Sequence, residues 1–127
     1  MRAIVGTLCV ALLLSCNSSA RAQSANELLQ ACEGLERTMT FVGDNISFPP
    51  SRSNDECWYF MSAVQQYSTL AAPGTGQRFL GACTGPTTTL SQLIRAFTNY
   101  ARSHPQHLNA TATVVTYNAM QSTFPCN

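Results

Sequence analysis

Cysteine is the residue that most narrows what this chain can become, because six of them fall within only 127 residues. Their fate depends on how the chain begins. Met1-Arg2 opens it, an apolar run follows from Ala3 to Leu14, and a polar stretch ends in Ala20-Arg21-Ala22. A basic start, an apolar run too short to span a bilayer and an A-x-A site make up a secretory signal. Residues 1–22 are therefore expected to be removed after Ala22, placing the rest in a bacterial periplasm or outside the cell. Cys9 and Cys16 leave with the signal. Cys32, Cys57, Cys83 and Cys126 remain, and four cysteines in a small exported domain read as two disulfides.

Three pairings are open to four cysteines. Closure between neighbouring elements favours Cys32–Cys57 and Cys83–Cys126. Zinc is disfavoured, since no two cysteines form a C-x-x-C pair and both histidines lie elsewhere. Neither a metal nor a cofactor is expected. The leader has a second reading as well. Leu13-Leu14-Ser15-Cys16 approximates a lipobox, in which Cys16 is acylated and anchors the protein to a membrane. The four later cysteines stay paired under either reading.

Residues 23–127 suffice for one domain and contain no second apolar run long enough for a membrane span. All seven basic residues of the chain are Arg, and charged residues make up 10%. With a net charge of only +1, the chain lacks the cationic footprint that neutralises phosphates, so nucleic acid is excluded as a partner. The charge is segregated. Residues 23–56 hold two Arg against Glu27, Glu33, Glu36, Asp44, Asp55 and Glu56, while residues 57–127 hold Arg78, Arg95 and Arg102 and no Asp or Glu. The favoured reading is that the two halves pack together and neutralise each other; the other is a polarised surface that steers a charged partner.

The pattern along the domain is helical. Ser24-Ala25-Asn26-Glu27 has the capping-box form, and Leu28, Cys32 and Leu35 follow at helical spacing up to a breaker at Gly34. Residues 38–48 form either a short β-hairpin turning at Gly43-Asp44-Asn45 or a plain ordered loop, closed by Pro49-Pro50. Ser53-x-x-Glu56 is a second capping box, and Cys57, Met61, Val64, Tyr67 and Ala71 mark one face of a helix over about 54–70. Pro73-Gly74-Thr75-Gly76 breaks it, opening a long loop from Ala72 to Thr87. Thr87-Thr88-Thr89 cap a third helix carrying Leu90, Leu93, Ile94, Phe97 and Tyr100, which Pro105 stops. Asn109 caps a fourth segment of about 15 residues, read as helix although Thr111 to Tyr117 is β-branched enough for a strand. The fold class is therefore all-α, a small four-helix domain stapled by two disulfides.

Catalytic constellations do not assemble. Adjacent Asp55 and Glu56 diverge by about 100° on a helix and cannot converge on one substrate. His104 and His107 sit at a helix end and in the next turn, and an oxidising compartment leaves no free thiol. Gly76 and Gly81 mimic a phosphate loop, but Ala82-Cys83 follows where Lys-Ser/Thr is required. Asn45-Ile46-Ser47 and Asn109-Ala110-Thr111 match the glycosylation sequon, which a bacterial host would not normally use. Nucleophile, base and oxyanion donor never come together, so an enzyme is not expected.

Several stretches resemble the Rap/Tai domain. These are Cys57-Trp58-Tyr59 opening a helix, Cys83 before a Thr-rich cap, Tyr100-Ala101-Arg102-Ser103-His104-Pro105, and the tail Ala119-Met120 through Phe124-Pro125-Cys126. The resemblance runs from Cys57 to Cys126 with Glu27 to Glu33 as leading helix; Arg37 to Ser53 has no counterpart in it. It implies a periplasmic helical protein that neutralises a secreted peptidoglycan amidase of a type VI secretion system by plugging its active-site groove, often as a homodimer. A disulfide-tied scaffold suits that role, because preorganisation lowers the ordering cost of binding. The loop Ala72–Ala82 is the expected contact, with Arg78 and Phe79 as anchors of the kind enriched at interfaces. The alternative is a periplasmic structural or stress-related protein with no dedicated effector.

Overall fold

A computed structural model describes residues 22–43, 45–70, 78 and 80–126. Residues 1–21, which hold nearly all of the expected leader with Cys9 and Cys16, lie outside the described residues. Among those described, four α-helices and one two-stranded hairpin follow one another: α1 (Ala25–Thr38), β1 (Thr40–Val42), β2 (Asn45–Ser47), α2 (Arg52–Ser68), α3 (Leu90–Ser103) and α4 (Ala112–Thr123). A 3₁₀ turn at Pro105–His107 joins the last two. The all-α class is what the periodicity predicts, the hairpin decides between the two readings left open for residues 38–48, and both favoured disulfides, Cys32–Cys57 and Cys83–Cys126, are formed.

Helices α1 and α3 form the centre, each packing against both remaining helices. Helix α3 is the most sharply two-sided, and its Leu93, Ile94, Phe97 and Ala101 are wholly buried. They meet Leu28 and Leu35 of α1, Met61 of α2, and Val115 and Met120 of α4 in one continuous core. Complete burial of a side chain such as Phe97 stabilises by about 1.5–3 kcal/mol, which makes α3 the element the others assemble on. Its start follows the sequence closely. Thr89 accepts from the Gln92 N–H, and the Gln92 side chain accepts from the Thr89 N–H in return.

Three local expectations are corrected. Helix α1 runs through Gly34 to Thr38 rather than stopping at the glycine. A mid-helix glycine costs about 1 kcal/mol, less than burying Leu35 one residue later returns. Helix α2 begins at Arg52 with Ser51 as its cap, accepting from the Asn54 N–H, so Ser53 and Glu56 form no capping box. The reason is Asn54, whose buried amide must find partners and does so in the Pro49 carbonyl (2.9 Å) and Thr38 Oγ1 (3.3 Å). Finally, Asn109 does not cap α4, which begins at Ala112 after Thr111 with no side-chain cap.

The start of α4 is satisfied from across the molecule. The Ala112 N–H donates to the Gln23 carbonyl, while the Ala25 and Asn26 N–H groups donate to the Ala110 and Leu108 carbonyls. The first turns of α1 and α4 thus supply partners for each other's orphan groups, with Ser24 bridged to Thr111 between them. The β-branched run Thr111–Tyr117 is helical despite its propensity, since Val115 and Thr116 fill core positions.

The hairpin pairs Thr40 with Ser47, Phe41 with Ile46 and Val42 with Asn45. Gly43 takes a positive φ of 60°, which suits the first position of a tight two-residue turn and is favoured by glycine.

Candidate functional site

The end of the molecule that carries the expected contact loop is built from α2, the chain after it and the tail. Thr69 follows the last residue of α2 as its C-cap, and its hydroxyl donates back to the Gln66 carbonyl (2.8 Å). Arg78 lies nine residues on, and its guanidinium donates to the Thr69 carbonyl at 2.7 Å. A cation on the last carbonyls of a helix is favoured by its dipole. The contact holds Arg78 against the end of α2. Phe79, the second expected anchor, lies outside the described residues, as do residues 71–77.

The far side of that base is fixed to the tail. Ala82 is wholly buried and bridges Pro125, the Cys83 N–H donates to the Phe124 carbonyl at 2.8 Å, and Cys83 is bonded to Cys126. Gly81 adopts a φ of 59°, and a Cβ there would stand 2.6 Å from Nε2 of Gln121. That amide in turn donates to the Tyr117 hydroxyl at 2.7 Å, holding two side chains of α4 over the turn.

Beside this base, Tyr67 and Leu70 are about half exposed, at 54% and 50%. A small cleft of about 320 Å³ opens between the end of α2 and the Thr84–Thr88 stretch. Its walls are tied by Gln65 donating to the Thr88 carbonyl and by a hydroxyl contact between Ser68 and Thr84. An exposed aromatic and an exposed aliphatic side chain thus stand at the helix end to which Arg78 is bonded.

A second concavity, about 620 Å³, runs along the outer side of α3 toward the end of α4. Arg95, Asn99, Ser103 and His104 line one side of it, with Ser122 and Phe124 opposite. The His104 ring stacks on Tyr100 (centroids 4.0 Å) and on His107 (5.6 Å), and its Nδ1 donates to the Tyr100 carbonyl. The two histidines therefore finish a helix, as expected of their positions. This groove was not anticipated from sequence, because its lining spans two helices and a loop. The one signal was the lack of any carboxylate after Glu56.

The disulfide cysteines occupy all four thiols of the expected domain, and among the described residues no group of three His, Cys, Asp or Glu could hold a metal ion. No helix among the described residues is long and apolar enough to cross a membrane. The charge halves do meet: Arg102 of α3 pairs with Glu33 (2.8 Å) and Glu36 (3.5 Å) of α1. The hydrogen bond to Glu33 raises the Arg102 pKa above its ordinary value, against a smaller opposing effect of burial.

The model of the Rap1a immunity proteins matches residues 24–126, from the α1 cap to the last cysteine. The chain belongs to that family. The Rap1a match extends over Arg37–Ser53, the stretch for which the sequence resemblance offered no counterpart, so the hairpin lies within the family domain. No curated protein and no solved structure matches the chain significantly. Membership in the Rap1a immunity proteins points to a chain that acts by binding an effector, a family role that is generally not enzymatic.

Proposed function

We propose that this protein is exported to the periplasm, or secreted, and there neutralises a peptidoglycan-cleaving amidase by occupying its active-site groove. The family match over residues 24–126 carries the reading. The site that suits it is the braced loop base. Arg78 and Phe79 are the anchors, and Tyr67 and Leu70 at the end of α2 are exposed to join them. Pinning a loop at both ends lowers the entropy lost when it enters a groove, which is how a rigid inhibitor gains affinity. Export follows from the leader at residues 1–22, with acylation at Cys16 as the anchored variant of the same route. A homodimer belongs to the same reading, as an expectation from the family resemblance.

The test is protection. Cells making a periplasm-directed amidase encoded beside this gene should survive when the full chain is co-expressed and lyse when it is omitted. Arg78→Glu or Phe79→Ala should weaken the purified complex at least tenfold, the scale of interface hot spots. A chain that neither binds the amidase nor protects would instead be a structural or stress-related exported protein.

A further inference from the structure

Three Arg residues follow Glu56, and no acidic side chain accompanies them. Two are engaged within the fold: Arg102 pairs with Glu33 and Glu36, and Arg78 donates to the Thr69 carbonyl. Arg95 differs. Its side chain is exposed and makes no ion pair or hydrogen bond among the described residues. It stands in the wall of the 620 Å³ groove, which no Asp or Glu lines. Gln92, Arg95, Asn99 and Ser103 recur along one side of α3, so the polar wall extends over three turns, about 16 Å. Five residues of extended chain span about that distance. The Asn99 side-chain amide is also exposed and without a partner among the described residues.

We propose that this groove docks an extended acidic segment of the partner protein, with a carboxylate of that segment on the Arg95 guanidinium and its backbone against Asn99. The proposal rests on the effector-binding reading for the identity of the partner. A planar guanidinium binds a carboxylate through two parallel N–H bonds, and a groove free of competing acids leaves that pairing to the incoming chain. The attraction between Arg95 and the acidic segment also speeds encounter, so binding through it weakens as salt rises.

The test uses the full exported protein, labelled with ¹⁵N and titrated with the blocked peptide acetyl-Gly-Glu-Tyr-Glu-Gly-amide. Its neutral twin carries Gln for Glu, and inorganic phosphate serves as a further probe. The acidic peptide should shift the amides of Arg95, Asn99 and Ser103, and the twin should leave them in place. Arg95→Glu should weaken the peptide at least tenfold at an unchanged unfolding midpoint, and Arg95→Lys should lose only part of that. Equal shifts from the twin, shifts at other residues, an Arg95→Glu variant of unchanged affinity, or phosphate alone moving the groove each overturn the proposal. An amidase that fails to bind the wild type while the peptide still maps to the groove defeats the effector reading and leaves the groove standing. An amidase bound equally by wild type and Arg95→Glu, with the peptide ignoring the groove, defeats the groove alone.

Discussion

Asn54 and Thr116 are both buried polar residues, at 5% and 2% exposure, and they should respond to substitution in opposite ways. Asn54 spends its amide on the Pro49 carbonyl and the Thr38 hydroxyl, joining the start of α2 to the end of α1. Asn54→Ala removes both bonds and leaves the Pro49 carbonyl without its partner, while Thr38 keeps its bonds to the Gly34 and Leu35 carbonyls, and should cost about 1–3 kcal/mol in urea unfolding. The Thr116 hydroxyl has no protein partner among the described residues. Thr116→Val removes that unpaired group at the same shape, so its unfolding midpoint should stay or rise. Glycine gives a second contrast at this scale. Gly43 and Gly81 share a positive φ, but only at Gly81 would a Cβ collide, with the Gln121 amide. Ala at either position should cost about 1–2 kcal/mol in backbone strain, and Gly81→Ala should cost more through the lost Gln121–Tyr117 bond. None of these roles is legible in sequence, since a buried Asn and an exposed one are spelled alike.

Among the elements, periodicity foretold α3 best, because its cap, its apolar stripe and its stop at Pro105 all agree. Helices α1, α2 and α4 were foretold in kind but not in their ends. Each end was decided by a contact outside the helix: Leu35 in the core beyond Gly34, Asn54 on Pro49, and Ala112 on Gln23. The ion pair between α1 and α3 is a smaller matter. Arg102 is half exposed, so Arg102→Ala should cost only about 0.2–1 kcal/mol, and the difference from wild type should shrink in molar salt. The raised pKa sets the sign of the pH dependence. The guanidinium's share of stability is fully present below its ordinary, strongly basic value and is lost only as pH climbs through the still higher folded value. Between pH 6 and 9 the effect of Arg102→Ala should therefore not vary through titration of the arginine.

For the molecule as a whole, the disulfides do what a small core cannot do alone. Separations of 25 and 43 residues correspond to about 3.5 and 4 kcal/mol of unfolded-state entropy. The two staples differ in access, because Cys32 and Cys57 are wholly buried between α1 and α2, whereas Cys83 and Cys126 are exposed at the loop base. Mild reductant with alkylation should label Cys83 and Cys126 first, leaving a folded protein whose effector affinity falls before its helicity does. Labelling of Cys32 should coincide with global unfolding.

Sequence by itself determined the class of this protein: the apolar periods require helices, and the four cysteines after residue 22 read as two bonds. It also offered the cysteine partners, because neighbouring elements close with the least rearrangement. The tertiary structure alone decided where helices start and stop, which arginines are occupied, and that a carboxylate-free stretch becomes one wall of a groove. The division has a physical cause. Helical period is a property of residues a few positions apart, whereas caps, ion pairs and concave surfaces join residues that only folding brings within reach.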